Sequence, residues 1–327
     1  IQYLNEQKKQ HAANPFFLYL AYTAPHFPIH AYEQDIVKYE KLYEQGWDVT
    51  RSNRYKKMVQ LGLIDKRYQL TARPSDIEDW EKVADKKQWV RKMAVYAAMI
   101  DRMDQNIGRL IAALKANKQY DNTLIVFMSD NGGCAENVDG RNFNDKNVPI
   151  GAKGSYVTYD YPWANVSNTP FRLYKRYTHE GGVMSPFIFH WPAGDLTNGE
   201  VNTSTFQLVN VAPTLYEALG VNYPATLNGN KLEPLAGGSM LPALKKSESQ
   251  SSQLWWEHIG NAAIIRGKWK LVRQYDWDWE LYDLTSDRNE LKNLANDHPD
   301  VVAELTAEWQ KLADEYGVIP FKKTLEI

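Results

Sequence analysis

Two oxygen-bearing side chains, Asp130 and Asn131, stand directly before the glycine pair Gly132-Gly133. Carboxylate and amide oxygens are hard ligands, and they suit calcium or magnesium better than soft metals would. The same four residues also fit an Asx turn followed by glycines in the left-handed conformation, which would be a structural feature without chemistry. The short motif alone therefore leaves a metal site and a turn as alternatives.

A histidine and a lysine are the other candidates for chemistry. His26 lies in Ala24-Pro25-His26-Phe27-Pro28, where prolines stiffen the backbone on both sides of the imidazole. Lys175 lies in the roughly fifty residues after Gly133 that show little periodicity, and loops of that length are usually functional or disordered. An imidazole and an ammonium can bind an anion and transfer a proton. Either residue, taken alone, also fits an ordinary solvated surface.

The elements that would position these residues have the patterns of an α/β domain. Phe16 to Tyr22 and Thr123 to Met128 are short apolar runs, typical of strands buried on both faces of a parallel sheet, and a polar loop follows each. Ligands of open α/β sheets bind beyond the carboxyl ends of the strands. From about Lys86 to Asn117 apolar residues recur at i, i+3 and i+4, which predicts an amphipathic helix packed on the sheet.

Length and composition indicate a globular protein with one large α/β domain and a smaller appendage. The chain has 327 residues, of which 43% are hydrophobic and 24% charged, and its formal net charge is −2. Well-mixed charges give no sign of a nucleic-acid or acidic-membrane surface. No apolar run approaches the roughly 20 residues that span a bilayer. The single cysteine, Cys134, excludes an intramolecular disulfide.

The C-terminal part has a different pattern, which predicts a small α+β subdomain over residues 247–327, after a catalytic α/β domain over residues 1–246. A linker or rim loop is predicted over Leu235 to Ser252 from its Gly, Ser and Pro content. Four short strands are predicted at Leu254 to Ile259, Ala263 to Arg266, Trp269 to Arg273 and Glu280 to Leu284. A helix with one apolar face follows Pro299.

Several of these stretches, in this order, resemble the sulfatase family. They are the upstream Ala24-Pro25-His26-Phe27-Pro28, the strand end Ser129-Asp130-Asn131-Gly132-Gly133 and the downstream Tyr174 to Pro192. The likeness continues through Leu208 to Leu219 and reaches Arg266 to Val272 and Leu281 to Leu284. It therefore covers nearly the whole chain, and no single motif carries it.

The resemblance implies a three-layer α/β/α sandwich of the alkaline-phosphatase-like type that hydrolyses a sulfate ester. It makes Asp130 and Asn131 ligands of one calcium ion, and it gives His26 and Lys175 the catalytic role of contacting the sulfate. Relatives with two zinc ions tend to carry Asp-His at the position of Asp130-Asn131, so a phosphodiester or phosphonate hydrolase is the less favoured alternative. A periplasmic or secreted location is also implied.

The substrate expectation rests on the aromatic-rich loop from Tyr156 to Trp163. Tryptophan can stack on a sugar or aryl ring, although such residues are more often part of a core. We expect this loop to line the leaving-group pocket and Trp163 to contact the substrate. The expected partner is a sulfated small molecule or glycan, with no nucleic acid and no membrane.

Two departures from the family pattern limit what this chain is expected to do alone. The family makes its formylglycine nucleophile from the first residue of a Cys/Ser-x-Pro-x-Arg motif, which this chain lacks, and Cys134 is followed by Ala135 and Glu136. The family's N-terminal acidic metal ligands are missing as well. We therefore expect a fragment that is inactive alone and needs the N-terminal portion of the same protein.

The absence of N-terminal strands would leave an apolar sheet edge, which proteins normally pair or cover. A homodimer, a retained N-terminal piece or aggregation would each cover it. The non-enzymatic alternative is a chain that binds its ligand without catalysis.

Overall fold

The computed structural model describes residues 1–196, 199–246 and 253–322. The chain forms two compact units. The first comprises Ile1–Leu61, Gln69–Asp121 and Gly132–Lys175, and the second comprises Gly62–Tyr68, Asn122–Asn131 and Arg176–Ile327. The predicted boundary between residues 246 and 247 stays a prediction, and residues 247–252 of the predicted linker lie outside the described residues.

The first unit is built from helices and long loops. Its helices are α1 (Gln2–Gln10), α2 (Glu33–Tyr43), α3 (Gly46–Gln60), α4 (Lys86–Ala116) and α5 (Asp160–Ser167). The predicted long helix is confirmed as α4, which packs along α2, whereas its packing on a sheet stays a prediction. It begins where the side chain of Asp85 accepts the N–H of Gln88, a cap for one of the donors that a first helical turn leaves free.

A buried arginine ties α3 to three other segments of the first unit. The guanidinium of Arg51 donates to the carbonyl oxygens of Asn165 at 3.2 Å and of Pro170 and Phe171 at 3.3 Å. It also donates to the carbonyl and hydroxyl oxygens of Thr71. Burial lowers the pKa of Arg51 to about 10, so the group stays charged at neutral pH.

The structure contradicts the prediction of an N-terminal strand. Phe16 to Tyr22 forms no strand in the described structure, and Phe17 and Tyr19 are 74% and 81% exposed. A strand is stabilised by its neighbours in a sheet, and within the described residues none pairs with this segment. The apolar run is therefore present, but its predicted burial is wrong for this structure.

The second predicted strand exists with a different partner. Residues Ile125–Met128 form β1, which pairs with β2 (Phe187–His190) so that Val126 lies opposite Phe189. The pairing is antiparallel, and β1 is half-buried. The prediction of a parallel strand buried on both faces is thus wrong in its direction and in its degree of burial.

The remaining elements of the second unit follow β2. Its helices are α6 (Glu180–Val183), α7 (Val211–Ala218), α8 (Leu241–Lys246) and α9 (Pro299–Glu315). A short hairpin joins β3 (Thr226–Leu227) to β4 (Asn230–Lys231). A four-stranded antiparallel sheet contains, in spatial order, β5 (Leu254–His258), β6 (Asn261–Arg266), β7 (Trp269–Arg273) and β8 (Glu280–Asp283). Among the described helices of both units, none is long and apolar enough to cross a membrane.

The sheet and α9 share one hydrophobic core, as the sequence pattern predicts. Leu305 and Trp309 of α9 are buried against Ile264, Leu271 and Leu281 of the sheet. Side chains alternate between the two faces of a strand, so Lys270 and Val272 of β7 lie on the face opposite α9. The four predicted strands and the final helix are therefore confirmed as elements.

The face opposite α9 carries a buried cluster of charges. Lys270 is 0% exposed, and its Nζ lies 2.8 Å from both Glu180 Oε1 and Glu290 Oε1. Glu180 Oε2 lies 3.3 Å from Arg288 Nε, so two cations face two carboxylates. Burial opposes the ionisation of Glu180, but Lys270 and Arg288 outweigh it and hold its pKa below the ordinary value of 4.5. The cluster therefore contributes stability above that pH, and acidification removes it.

We expect Lys270→Met to lower the free energy of unfolding by about 3 to 5 kcal/mol, because it leaves two buried carboxylates without their shared cation. The measurement is guanidinium unfolding followed by tryptophan fluorescence and circular dichroism.

The matched control is Lys268→Met on the same hairpin, whose side chain is 50% exposed and pairs with Asp283. An exposed pair contributes little, so this change should cost less than about 1 kcal/mol. Equal losses in the two variants would contradict a stabilising role of the buried cluster.

Candidate active site

The structure brings His26 and Lys175 together in the first unit, although 149 positions separate them in the chain. Lys175 Nζ donates to His26 Nε2 at 3.1 Å. His26 Nδ1 lies 2.7 Å from the carbonyl oxygen of Phe27. A carbonyl oxygen can only accept, so Nδ1 carries the imidazole proton and Nε2 offers its lone pair to the ammonium. The resting pair is therefore one cation beside one neutral imidazole, with His26 exposed to solvent.

Two backbone hydrogen bonds hold the segment that contains His26 in place. The N–H of His26 donates to the carbonyl oxygen of Thr23 at 3.0 Å. Ile29, which is buried, donates its N–H to the carbonyl oxygen of Val157 at 3.1 Å. The peptide bonds before Pro25 and Pro28 are both cis. Hydrogen bonds thus hold the backbone on both sides of His26, where the prolines predict a stiff segment.

Lys175 is held through its backbone and its neighbour. Its N–H donates to the carbonyl oxygen of Gly133 at 3.0 Å, and the preceding Tyr174 is buried. Leu173 has a φ of 63°, a left-handed conformation that is uncommon for a branched residue. The backbone at Lys175 is therefore fixed by this hydrogen bond and by the burial of Tyr174.

Asp130 and Asn131 belong to the second unit, just beyond the end of β1. Asp130 is exposed, and the carbonyl oxygen of Asn131 accepts a hydrogen bond from the Ser129 hydroxyl at 3.0 Å. The donor atoms suit a hard cation, but calcium takes six or more oxygen ligands. Among the described residues no group of three or more His, Cys, Asp or Glu side chains could hold a metal ion. These two residues could thus supply only part of a calcium site.

Trp163 has a different environment from the predicted one. Its side chain is 0% exposed, and its ring packs against Tyr43 and Trp47 with centroids 5.4 and 5.8 Å away. Its Nε1 donates to the carbonyl oxygen of Trp89 at 2.9 Å. These contacts make Trp163 a core residue, and this burial argues against the predicted substrate contact.

A different set of aromatic residues lies beside His26. The rings of His26 and Phe27 are 4.3 Å apart, and Phe27 meets Tyr156 edge to face at 6.3 Å. Phe143 contacts Tyr156 at 4.2 Å and is 58% exposed. We call Phe27, Phe143 and Tyr156 the aromatic surface. Sequence reasoning singled out the loop of Tyr156 but missed Phe27, although it directly follows His26.

The loop that carries Phe143 and Tyr156 is anchored by a buried lysine. Lys92 of α4 places its Nζ 2.6 Å from Asp139 Oδ2 and 3.7 Å from Asp160 Oδ2. Asp139 Oδ1 in turn accepts the N–H of Thr158 at 3.2 Å. The N–H of Tyr156 is bound by Asn144 Oδ1 at 2.8 Å. These bonds give the long loop a fixed conformation despite its lack of sequence periodicity.

Solved structures share this fold. The structure described as Ps i-CgsB has a TM-score of 0.62 at 24% identity, with 95% of this chain and 53% of that chain covered. Its complex with k-i-k-neocarrahexaose has a TM-score of 0.63 at 24% identity, with 99% and 56% covered. A complex of BT4656 with its substrate D-glucosamine-2-N,6-O-disulfate has a TM-score of 0.51 at 21% identity, with 76% and 45% covered. The likeness confirms the predicted α/β class of the alkaline-phosphatase-like type.

Two curated relatives are described as sulfatases. An uncharacterized sulfatase of Schizosaccharomyces pombe is 32% identical over 97% of this chain and 61% of its own length. An arylsulfatase of Klebsiella aerogenes is 35% identical over 69% of this chain and 51% of its own length. The chain thus spans roughly half to three fifths of these relatives.

Two family models match the chain. The model described as N-sulphoglucosamine sulphohydrolase, C-terminal, matches residues 171–315. The Sulfatase model matches residues 1–221, which include His26, Asp130, Asn131 and Lys175. This chain therefore belongs to the sulfatase family.

Proposed function

We propose that this chain forms part of a sulfuric ester hydrolase that cleaves a sulfate monoester with the help of one calcium ion. The observation that carries the proposal is the 3.1 Å contact between Lys175 Nζ and His26 Nε2. Family resemblance assigns both groups to the sulfate, and an exposed ammonium beside an imidazole is suited to bind an oxyanion.

The two side chains have different parts in the proposed reaction. Attack at sulfur builds negative charge on the sulfate oxygens and on the leaving oxygen. The ammonium of Lys175 donates to the sulfate oxygens and neutralises part of that charge. His26 keeps its Nδ1 proton on the Phe27 carbonyl, so a proton that Nε2 takes up from water can pass to the leaving oxygen.

Calcium belongs to the proposal through Asp130 and Asn131. The family resemblance assigns to such a cation the neutralisation of further charge on the sulfate oxygens. The remaining ligands and the nucleophile would come from the N-terminal portion of the same protein. The share of the relatives that this chain covers supports this arrangement, as does the exposed apolar segment from Phe16 to Tyr22. A homodimer that covers the same segment is the alternative. The family resemblance also supports a periplasmic or secreted location.

The aromatic surface supports a ring-bearing substrate. Phe27 contacts the imidazole that would protonate the leaving oxygen, and Tyr156 and Phe143 extend this row of apolar rings away from it. A sulfated sugar or an aryl sulfate has a flat apolar face of matching size. We propose that this ring stacks on Phe143, in place of the contact first expected at Trp163.

In the full-length protein, Asp130→Ala should abolish calcium binding and sulfatase activity together, because a calcium site that loses a carboxylate loses both charge and a ligand. Calcium affinity is measured by isothermal titration calorimetry. Asp121→Ala is the matched control, since Asp121 is exposed and precedes the same strand. Unchanged calcium affinity in Asp130→Ala would remove Asp130 from the metal site.

Lys175→Met and His26→Ala should each lower kcat of the full-length enzyme for an aryl sulfate by about a hundredfold or more, as the loss of one preorganised charge contact does. The measurement is steady-state release of the phenol. Lys153→Met, at an exposed position, should retain normal turnover.

Two further samples make this test decisive. The 327-residue chain purified alone should give no turnover, since it lacks the nucleophile motif. A phosphodiester substrate should be hydrolysed more slowly than the sulfate ester. Normal turnover by Lys175→Met would return Lys175 to the solvated surface, and a preference for the phosphodiester would replace the proposed reaction.

Phe143→Ala should raise KM for an aryl sulfate about three- to tenfold and leave kcat nearly unchanged, because ring stacking contributes about 0.5 to 1.5 kcal/mol and would be equal in ground and transition states. Trp277→Ala is the control for loss of an exposed aromatic residue elsewhere. An unaltered KM in Phe143→Ala would exclude stacking at this position.

A further inference from the structure

Asn168 follows the last residue of α5 and is buried. Both ends of its side-chain amide are used. Oδ1 accepts the N–H of Gly133 at 2.7 Å, and Nδ2 donates to the carbonyl oxygen of Leu173 at 2.8 Å. One side chain therefore joins the turn at Gly133 to the loop that leads to Lys175.

The backbone of Gly133 completes a chain of hydrogen bonds. Its N–H is bound by Asn168, and its carbonyl oxygen accepts the N–H of Lys175 at 3.0 Å. Asn168 thus reaches Lys175 by two routes, through Gly133 and through Leu173. Both routes end at the backbone from which the Lys175 side chain extends toward His26.

Neighbouring side chains leave no room for a side chain at Gly133. A Cβ added there would lie 2.6 Å from Tyr159 Oη and 3.1 Å from Asn168 Oδ1. Tyr159 Oη accepts the N–H of Cys134 at 2.9 Å, and burial raises the pKa of Tyr159 well above its ordinary value. Two consecutive N–H groups are therefore held by two buried side chains, and only glycine fits between them.

We propose that Asn168 is a positioning residue for Lys175 and that it acts through Gly133 and Leu173. Its two hydrogen bonds fix the backbone position from which the Lys175 ammonium reaches His26 Nε2. The catalytic consequence rests on the proposed function, whereas the positioning itself does not. A purely structural alternative is that Asn168 only ends α5, where its own N–H donates to the carbonyl oxygen of Ala164.

The test uses the full-length protein with two readouts that do not require activity. The first is the alkylation rate of Cys134 by iodoacetamide, measured by mass spectrometry of the peptide that contains it. Cys134 is half-buried and follows Gly133 directly, so its exposure reports opening of the turn. The second is the NMR resonance of the His26 ring C–H groups, which responds to the distance of the Lys175 ammonium.

Asn168→Ala should raise the alkylation rate about tenfold or more, because a buried N–H and a buried carbonyl each lose their partner. It should also shift the His26 resonance in the same direction as Lys175→Met does. If the proposed reaction is right, kcat should fall about tenfold or more as well, with KM for the sulfate ester altered less.

Thr169→Val is the matched control. It removes the hydroxyl that donates to the carbonyl oxygen of Val166 in the last turn of α5, and it leaves Gly133 untouched. A residue that only ends the helix would give the same result as this control. Values of both readouts within twofold of those of Thr169→Val would therefore overturn the proposal.

Asn168→Asp decides the matter if Asn168→Ala does not fold. Aspartate keeps an acceptor for the N–H of Gly133 but cannot donate to the carbonyl oxygen of Leu173. We expect Cys134 to stay protected and the His26 resonance to shift, and an unmoved resonance would overturn the proposal. Movement of both readouts in Asn168→Ala without any sulfatase activity in the wild type would retain the positioning role and reject the proposed reaction.

Discussion

The buried charge of Arg51 constrains the backbone on both sides of Asn168 in the first unit. A guanidinium taken out of water is tolerated only when its donors find acceptors, and the acceptors here are carbonyl and hydroxyl oxygens from three segments. Those segments cannot move independently of α3 without leaving a buried donor unsatisfied. Two of them, at Asn165 and at Pro170, flank Asn168. The geometry near the candidate active site is thus tied to a charge that is itself remote from the chemistry.

Two of the buried cations, Arg51 and Lys270, are satisfied in different ways. Arg51 meets backbone dipoles, and its pKa of about 10 keeps it charged over the whole range in which the carboxylates titrate. Lys270 meets two carboxylates, whose charge depends on pH. Acid should therefore weaken the second unit directly while it leaves the Arg51 contacts intact. The Arg51 contacts, which lie in the same unit as His26 and Lys175, are thus the less pH-dependent of the two.

Sequence patterns predicted the periodic elements and the chemistry-bearing residues better than their surroundings. Helix α4 has a sustained 3.6-residue period, and the strands of the C-terminal sheet have turn residues between them. These elements could therefore be predicted from their local sequence alone. Phe16 to Tyr22 has the composition of a buried strand, but burial depends on a neighbouring strand that composition cannot supply. Trp163 lies in a stretch without periodicity, where a core residue and a pocket residue have the same appearance. Arg51 and Asn168 bind backbone groups, which leave no mark in the sequence.

The hydrogen bonds of His26 have a consequence for any anion that binds beside it. Because Nδ1–H is committed to the Phe27 carbonyl, Nε2 is left as an acceptor, and it accepts from the Lys175 ammonium. A ligand oxygen that takes this N–H of the ammonium must therefore displace an acceptor that is already in place. Anion binding at Lys175 is thus an exchange of hydrogen-bond partners, and its net free energy is smaller than that of a new contact.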